Sequence, residues 1–186
     1  KVCDYIHLPF QAGNTEILRR MNRGYSREEY IAKVEMIQEV LPEVSLSTDI
    51  IVGFPGETEE QFMDTMTMLE KVPFETIFAF KYSPRPFTKA ANFGSQVDED
   101  VKSDRINRLF AHHKEISFKL VKKYEGRVLP VLVDKVDERD PKVVSGRTTQ
   151  NKLVHFMGPA DLVGKTVPVK ILRAFPVNFR GELVAE

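Results

Sequence analysis

Asp49 is the residue best placed for chemistry in this chain. It lies in SLSTDIIVGFPGETEEQ, residues 45–61, on the polar side of an otherwise apolar strand. Period two puts Leu46, Thr48, Ile50 and Val52 on one face and Ser45, Ser47, Asp49, Ile51 and Gly53 on the other. A parallel strand buried on both sides normally reads as an unbroken apolar run. A face carrying two serines and an aspartate points instead to a cavity or site at the strand's C-terminal end. The competing reading is that Asp49 caps a neighbouring loop. His7, in KVCDYIHLPFQ, shares a polar strand face with Tyr5 and Gln11 and should face the same interior as Asp49. A lone strand histidine is nevertheless more often a satisfied structural residue than a ligand. Arg85, in YSPRPF, leaves a strand end between two prolines, which lowers the entropy cost of holding a guanidinium for carboxylate or phosphate. Further on, Arg147, Lys152, Lys170, Arg173 and Arg180 lie near Phe156, Phe175 and Phe179. Basic residues interleaved with aromatics suit RNA, through phosphate contacts and stacking; the alternative is a solvated strand face over an aromatic core.

Several chemistries drop out. One cysteine, Cys3, allows neither an internal disulfide nor a multi-cysteine metal site. There is no phosphate loop and no GxSxG elbow, and Gly53-Phe54-Pro55-Gly56 lacks dinucleotide spacing. His112 and His113 are adjacent on a helix and cannot share a face, so they do not read as a metal pair. The net charge is zero, but residues 1–125 carry 17 Lys+Arg against 20 Asp+Glu while residues 126–186 carry 10 against 7. The positive tail allows a nucleic-acid role. No apolar run reaches ~18 residues and nothing resembles a signal peptide, so a soluble, cytoplasmic chain without membrane contact is expected.

The elements that must position these residues follow from local signals. Strands are expected over residues 2–10, 45–52 and 76–82. Ser26-Arg27-Glu28-Glu29 and Thr58-Glu59-Glu60-Gln61 have capping-box spacing and should open helices. Further helices are expected over Thr15–Met21 and from Asp98 to about Tyr124. Strands alternating with helices predict βαβ units, a parallel sheet, and helices on one side of it. Three strands are few for such a sheet, and the chain begins without methionine, so the C-terminal part of a longer α/β barrel is expected. After Glu125-Gly126 the pattern changes. Residues 127–134, 142–148, 152–156, 166–175 and 178–184 read as five short strands, which suits a small closed barrel of the oligonucleotide-binding type. The expected domains are therefore 1–125 and 126–186.

CDYIHLPFQAGNTEILRRMNRGYSREEY, STDIIVGFPGETEEQF and FAFKYSPRPFTKAA closely resemble the radical-SAM methylthiotransferases. They look most like the type that methylthiolates isopentenyl-adenosine beside the tRNA anticodon. VSGRTTQNKLVHF, Val163-Gly164-Lys165 and RGELV resemble the TRAM domain of those enzymes. The resemblance implies an α/β fold: the C-terminal part of a radical-SAM partial (β/α) barrel with parallel strands, followed by a small all-β, OB-like TRAM barrel that binds RNA. It implies S-adenosylmethionine and iron–sulfur clusters as cofactors, the cluster ligands lying outside this chain, and tRNA as partner of a monomeric protein. The fragment alone is expected to be inactive. By motif, Asp49, Ile51, Gly53, Tyr82 and Gln11 should line the adenosyl portion of the cofactor. Arg85, Arg147, Lys170 and Arg180 are the candidate RNA contacts. The sequence departs from the family at Phe87, where YSPRPGT has glycine. Three alternatives stand beside this reading. One is a sister enzyme acting on threonylcarbamoyl-adenosine or a ribosomal protein, one is a non-catalytic RNA-binding module, and one is an ordinary phosphate-binding barrel.

Overall fold

The computed structural model describes residues 3–184 and divides the chain into two compact units, His7–Ile116 and Lys1–Ile6 with Ser117–Glu186. One sheet has three strands in the order β1 (Tyr5–His7), β2 (Ser45–Val52), β3 (Phe74–Lys81). β2 and β3 pair in parallel, with Asp49 opposite Phe78 and Ile51 opposite Phe80. The extended segment expected over residues 2–10 shrinks to three residues of strand, and its first residue lies outside the described ones. Pro9 cannot donate to a ladder, and Gln11 turns to a φ of 62° after it. The chain still tracks β2: Leu8 N–H donates to Ser47 O at 2.8 Å, and Gln11 forms an isolated parallel bridge to Ile50.

The helices begin where their caps dictate. Asn14 Oδ1 accepts from the N–H groups of Glu16 and Ile17 and opens α1 (Thr15–Arg20). Both capping boxes form, Ser26 with Glu29 at α2 (Arg27–Val40) and Thr58 with Gln61 at α3 (Glu59–Lys71). α3 then binds the loop before α1. Gly13 N–H donates to Thr65 Oγ1 at 2.8 Å, Asn14 Nδ2 to Asp64 Oδ2 at 2.7 Å, and Arg27 to the carbonyls of Gly13 and Asp64. A side chain at Gly13 would bring its Cβ within 2.5 Å of Asp64 O, so the loop can lie this close only with glycine. α4 (Glu99–Val121) ends in a 3-10 turn over Lys122–Tyr124.

In the second unit β4 (Val128–Val136), β5 (Val143–Thr148), β6 (Leu153–Met157), β7 (Thr166–Ala174) and β8 (Asn178–Leu183) close a barrel in the order β4-β5-β6-β8-β7. Its interior is filled by Val131, Val133, Val144, Val154, Phe156 and Phe179, with the Tyr124 ring tilted against Phe179 at 5.2 Å between centroids. Asp4 accepts hydrogen bonds from Thr149 Oγ1 and Gln150 Nε2 at the β5–β6 turn. Arg147 lies within β5, opposite Leu132 and Leu153. Gly181 leaves room for the neighbouring strand: a Cβ there would come within 2.5 Å of Val169 Cγ1 and 2.8 Å of Lys170 O. A tightly curved five-stranded barrel takes up that space itself.

Candidate functional site

The open face of the first unit's sheet carries the group predicted around Asp49. His7 Nδ1 is 2.8 Å from Ser47 Oγ, and its Nε2 is 3.4 Å from Asp49 Oδ1. The ring meets Phe78 edge-on at 5.8 Å. Asp49 and Ile51 are half-buried, whereas Phe78 and Phe80, their register partners, are 46% and 56% exposed. An imidazole, a carboxylate and an apolar aromatic wall therefore share one surface near the C-terminal end of β2. Period two is sufficient to find it, because residues two apart on adjacent parallel strands must meet on one side.

Gln11 and Tyr82 fall into a second group. Gln11 is buried, and its Oε1 accepts from the Tyr25 hydroxyl at 2.5 Å. Its backbone stays with β2, donating to Asp49 O and accepting from Ile51 N–H. Tyr82 N–H donates to Val52 O, and its ring packs edge-on against Phe54 at 5.2 Å. Tyr82 packs against a cluster built on Ala12, Ile17, Leu18 and Phe54, and Gln11 meets the same cluster through Tyr25. Burial pushes the Tyr25 hydroxyl above its ordinary range. The Tyr82 hydroxyl is covered and has no hydrogen-bond partner among the described residues.

The loop after β2 is set by a clamp that sequence reasoning missed. Gly53 has a φ of 71°, and its N–H donates to Glu57 Oε2 at 2.6 Å. Arg105 on α4 donates to the same oxygen at 2.9 Å and to Glu57 O at 3.1 Å. The Glu57 side chain is fully covered and that of Arg105 is 5% exposed. Burial pushes the Glu57 carboxyl up, opposed by the Gly53 N–H and the Arg105 charge. The stem of Lys102 packs over Gly53 where a Cβ would stand, and its ammonium is 5.9 Å from the Tyr82 ring centroid. The available signal was the spacing Lys102, Arg105, Arg108, one face of a helix, against the acidic Glu57 and Glu59.

Arg85 is exposed at the start of a turn in which Thr88 Oγ1 donates to its carbonyl at 2.8 Å. Phe87, the departure from YSPRPGT, stands fully exposed at a φ of 68°, a conformation that glycine adopts without cost. On the barrel, Arg147 is exposed, but its guanidinium bonds Asn151 Oδ1 at 3.1 Å. Lys170 lies 3.7 Å from Glu182 Oε1. Arg180 is exposed in β8, opposite Arg173 on β7 and His155 on β6. Phe156 and Phe179 are buried in the barrel, and only Phe175 of the three aromatics reaches the surface. His112 and His113 go separate ways, to Glu70 and to the Phe74 carbonyl.

The two sheets define the class: a parallel α/β sheet and a closed five-stranded β-barrel. Residues 1–69 match the family model described as Radical SAM superfamily, and residues 122–184 match that of the TRAM domain. The chain is similar to the tRNA-2-methylthio-N(6)-dimethylallyladenosine synthase of Bdellovibrio bacteriovorus, 62% identical over 184 residues, which are 99% of this chain and 40% of that protein. It is likewise similar to the synthase of that name from Aquifex aeolicus, at 47% over 184 residues, 99% of this chain and 41% of the relative. That of Geobacillus kaustophilus is 48% identical over 183 residues, 98% of this chain and 34% of the relative. The chain thus spans about two fifths or less of the length of these curated relatives.

Proposed function

We propose that this chain is the C-terminal part of a radical-SAM methylthiotransferase acting on N6-dimethylallyladenosine (isopentenyl-adenosine) in tRNA. The observation that carries this reading is the 62% identity sustained across 99% of the chain to a protein named as a synthase of the methylthiolated nucleoside. In this reading residues 1–125 supply the last strands of a partial (β/α) barrel and residues 126–186 an RNA-binding barrel. S-adenosylmethionine fits what the open sheet face offers. Ile51, Phe78 and Phe80 present an apolar wall for a base, and Asp49 beside them presents a carboxylate for its polar edge. Asp49, Ile51 and Gly53 would hold the adenosyl portion, while Gln11 and Tyr82 brace the strand ends from the packed cluster. When bound, that cofactor supplies radical chemistry and a methyl group. Iron–sulfur clusters do not fit the residues present: no group of three His, Cys, Asp or Glu among the described residues could hold a metal, and the chain has one cysteine. Their ligands belong, on this reading, to parts of the protein outside this chain. Arg85, Arg147, Lys170 and Arg180 are the RNA contacts in a monomeric, cytoplasmic enzyme; no helix among the described residues is long and apolar enough to cross a membrane.

The test uses the complete protein, reconstituted with iron and sulfide, given S-adenosylmethionine and two tRNAs. One carries isopentenyl-adenosine and the other threonylcarbamoyl-adenosine. Mass spectrometry of the digested nucleosides should show the methylthio group on the first alone. Modification of the second alone would replace this reading by the sister activity. RNA binding without either product would replace it by a non-catalytic module.

A further inference from the structure

Barrel closure brings two of the tail's arginines and a histidine into one row, an alignment that the sequence pattern does not contain. Strand pairing sets Arg173 on β7 opposite Arg180 on β8, and Arg180 opposite His155 on β6. Neighbours in the row are about 4.8 Å apart, so the three basic groups span about 10 Å across the strands. Both arginines are exposed and His155 is half-buried. Phe175, the residue that follows the end of β7 at Ala174, is 41% exposed, whereas Phe179, beside Arg180 in sequence, is fully buried. The next register partner along the row is Ser145 on β5, whose hydroxyl is covered and has no hydrogen-bond partner among the described residues. Two carboxylates lie at the margins. Glu125 is close to Arg173 but accepts from Lys122 and from the Ala174 N–H, and Asp137 is close to His155 but accepts from the N–H groups of Arg139 and Asp140. Each is already engaged by its own turn, so neither closes an ion pair across the row. Arg147 and Lys170 lie off the row, each with a partner of its own.

We infer that Arg173, Arg180 and His155 form a track for the phosphates of one RNA strand, with Phe175 at its end as the platform for an unstacked base. Two guanidiniums and an imidazole in line across adjacent strands match a charged backbone running over the barrel. One exposed aromatic beside them matches the sequence-tolerant stacking by which single-stranded RNA is held. This rests on the RNA-binding reading of the barrel and narrows it to one face and one strand of RNA.

The experiment titrates the 186-residue chain against unmodified tRNA and against an oligouridylate of about 12 nucleotides, within the site sizes such barrels cover. Four proteins are compared at several salt concentrations: the parent, Arg173→Gln/Arg180→Gln, the charge-matched control Lys142→Gln/Lys165→Gln, and Phe175→Leu. All the substituted side chains are on the surface, and thermal melts establish that the variants fold alike. The row variant should lose about 1.4 from the slope of log affinity against log salt, 0.7 for each single-strand phosphate contact removed. The control should keep its slope. Phe175→Leu should weaken oligouridylate binding about tenfold with the slope unchanged, because stacking releases no counterions. Equal slopes for the row variant and its control overturn the track while leaving the RNA-binding reading in place. A parent chain that binds neither RNA overturns both.

Discussion

Replacing Arg105 by methionine tests the clamp that shapes the loop after β2. The substitution keeps the aliphatic stem but removes the one cation that Glu57 contacts among the described residues, leaving its covered carboxylate with the Gly53 N–H. Burial already raises the Glu57 carboxyl above its ordinary value of 4.5. A raised acid holds its proton more tightly in the folded state, so its contribution to stability is complete at low pH and is lost as pH climbs through the folded pKa. Without Arg105, whose charge opposes that rise, the pKa moves higher still. Toward the acid end of the range more of the carboxyl is protonated, and the cost falls toward that of the hydrogen bonds Arg105 gave, about 1–2 kcal/mol. Toward the alkaline end more of it ionises unpaired, and the cost climbs toward the roughly 3–5 kcal/mol of a broken buried pair. Glu59 dampens neither figure, because Arg108 still holds it at 2.6 Å. Urea unfolding followed by circular dichroism at pH 5, 6, 7 and 8 measures the difference. The double variant Arg105→Met/Glu57→Gln should recover most of the loss and show little pH dependence. A penalty equal at pH 5 and pH 8, or a double variant no better than the single one, would refute the assignment of Glu57 as a buried charge that Arg105 compensates.

Phe87→Gly should stabilise the protein by about 0.5–1 kcal/mol in thermal melts, since a positive φ costs a bulky residue more than the added freedom of glycine when unfolded; a lower melting temperature would show that the Phe87 ring is needed in the loop. Gly13→Ala should destabilise by about 2–4 kcal/mol in urea, because its Cβ meets backbone atoms of α3 that cannot yield; a change below about 0.5 kcal/mol would mean that α3 shifts freely. In the complete enzyme, Asp49→Ala should weaken S-adenosylmethionine binding by calorimetry while leaving the iron content intact, and unchanged affinity would remove Asp49 from the cofactor's face.

The sequence by itself determined whatever depends on contiguous residues. Ser26 with Glu29 and Thr58 with Gln61 are interactions over three positions, so the starts of α2 and α3 are legible to the residue. Period two in residues 45–52 placed Asp49 and Ile51 together on the half-buried face, and the five short runs after Gly126 became the five barrel strands. Tertiary structure decided what depends on partners far along the chain. Gln11 and Asp49 have the same strand parity as His7 and Ile51, yet Gln11 turns to Tyr25, because Pro9 and a positive φ at Gln11 interrupt the alternation on which that parity rests. The clamp joins Glu57 to Arg105 across 48 positions, and a helical row of cations shows no partner until α4 is docked. Among the basic residues of the tail, composition ranked Arg147, Lys170 and Arg180 alike. Barrel closure alone tied Arg147 to Asn151, set Lys170 near Glu182, and put Arg180 in line with Arg173 and His155. The order β4-β5-β6-β8-β7 is what makes β8 the neighbour of both β6 and β7, and strand order is a property of the packed sheet that no local pattern encodes.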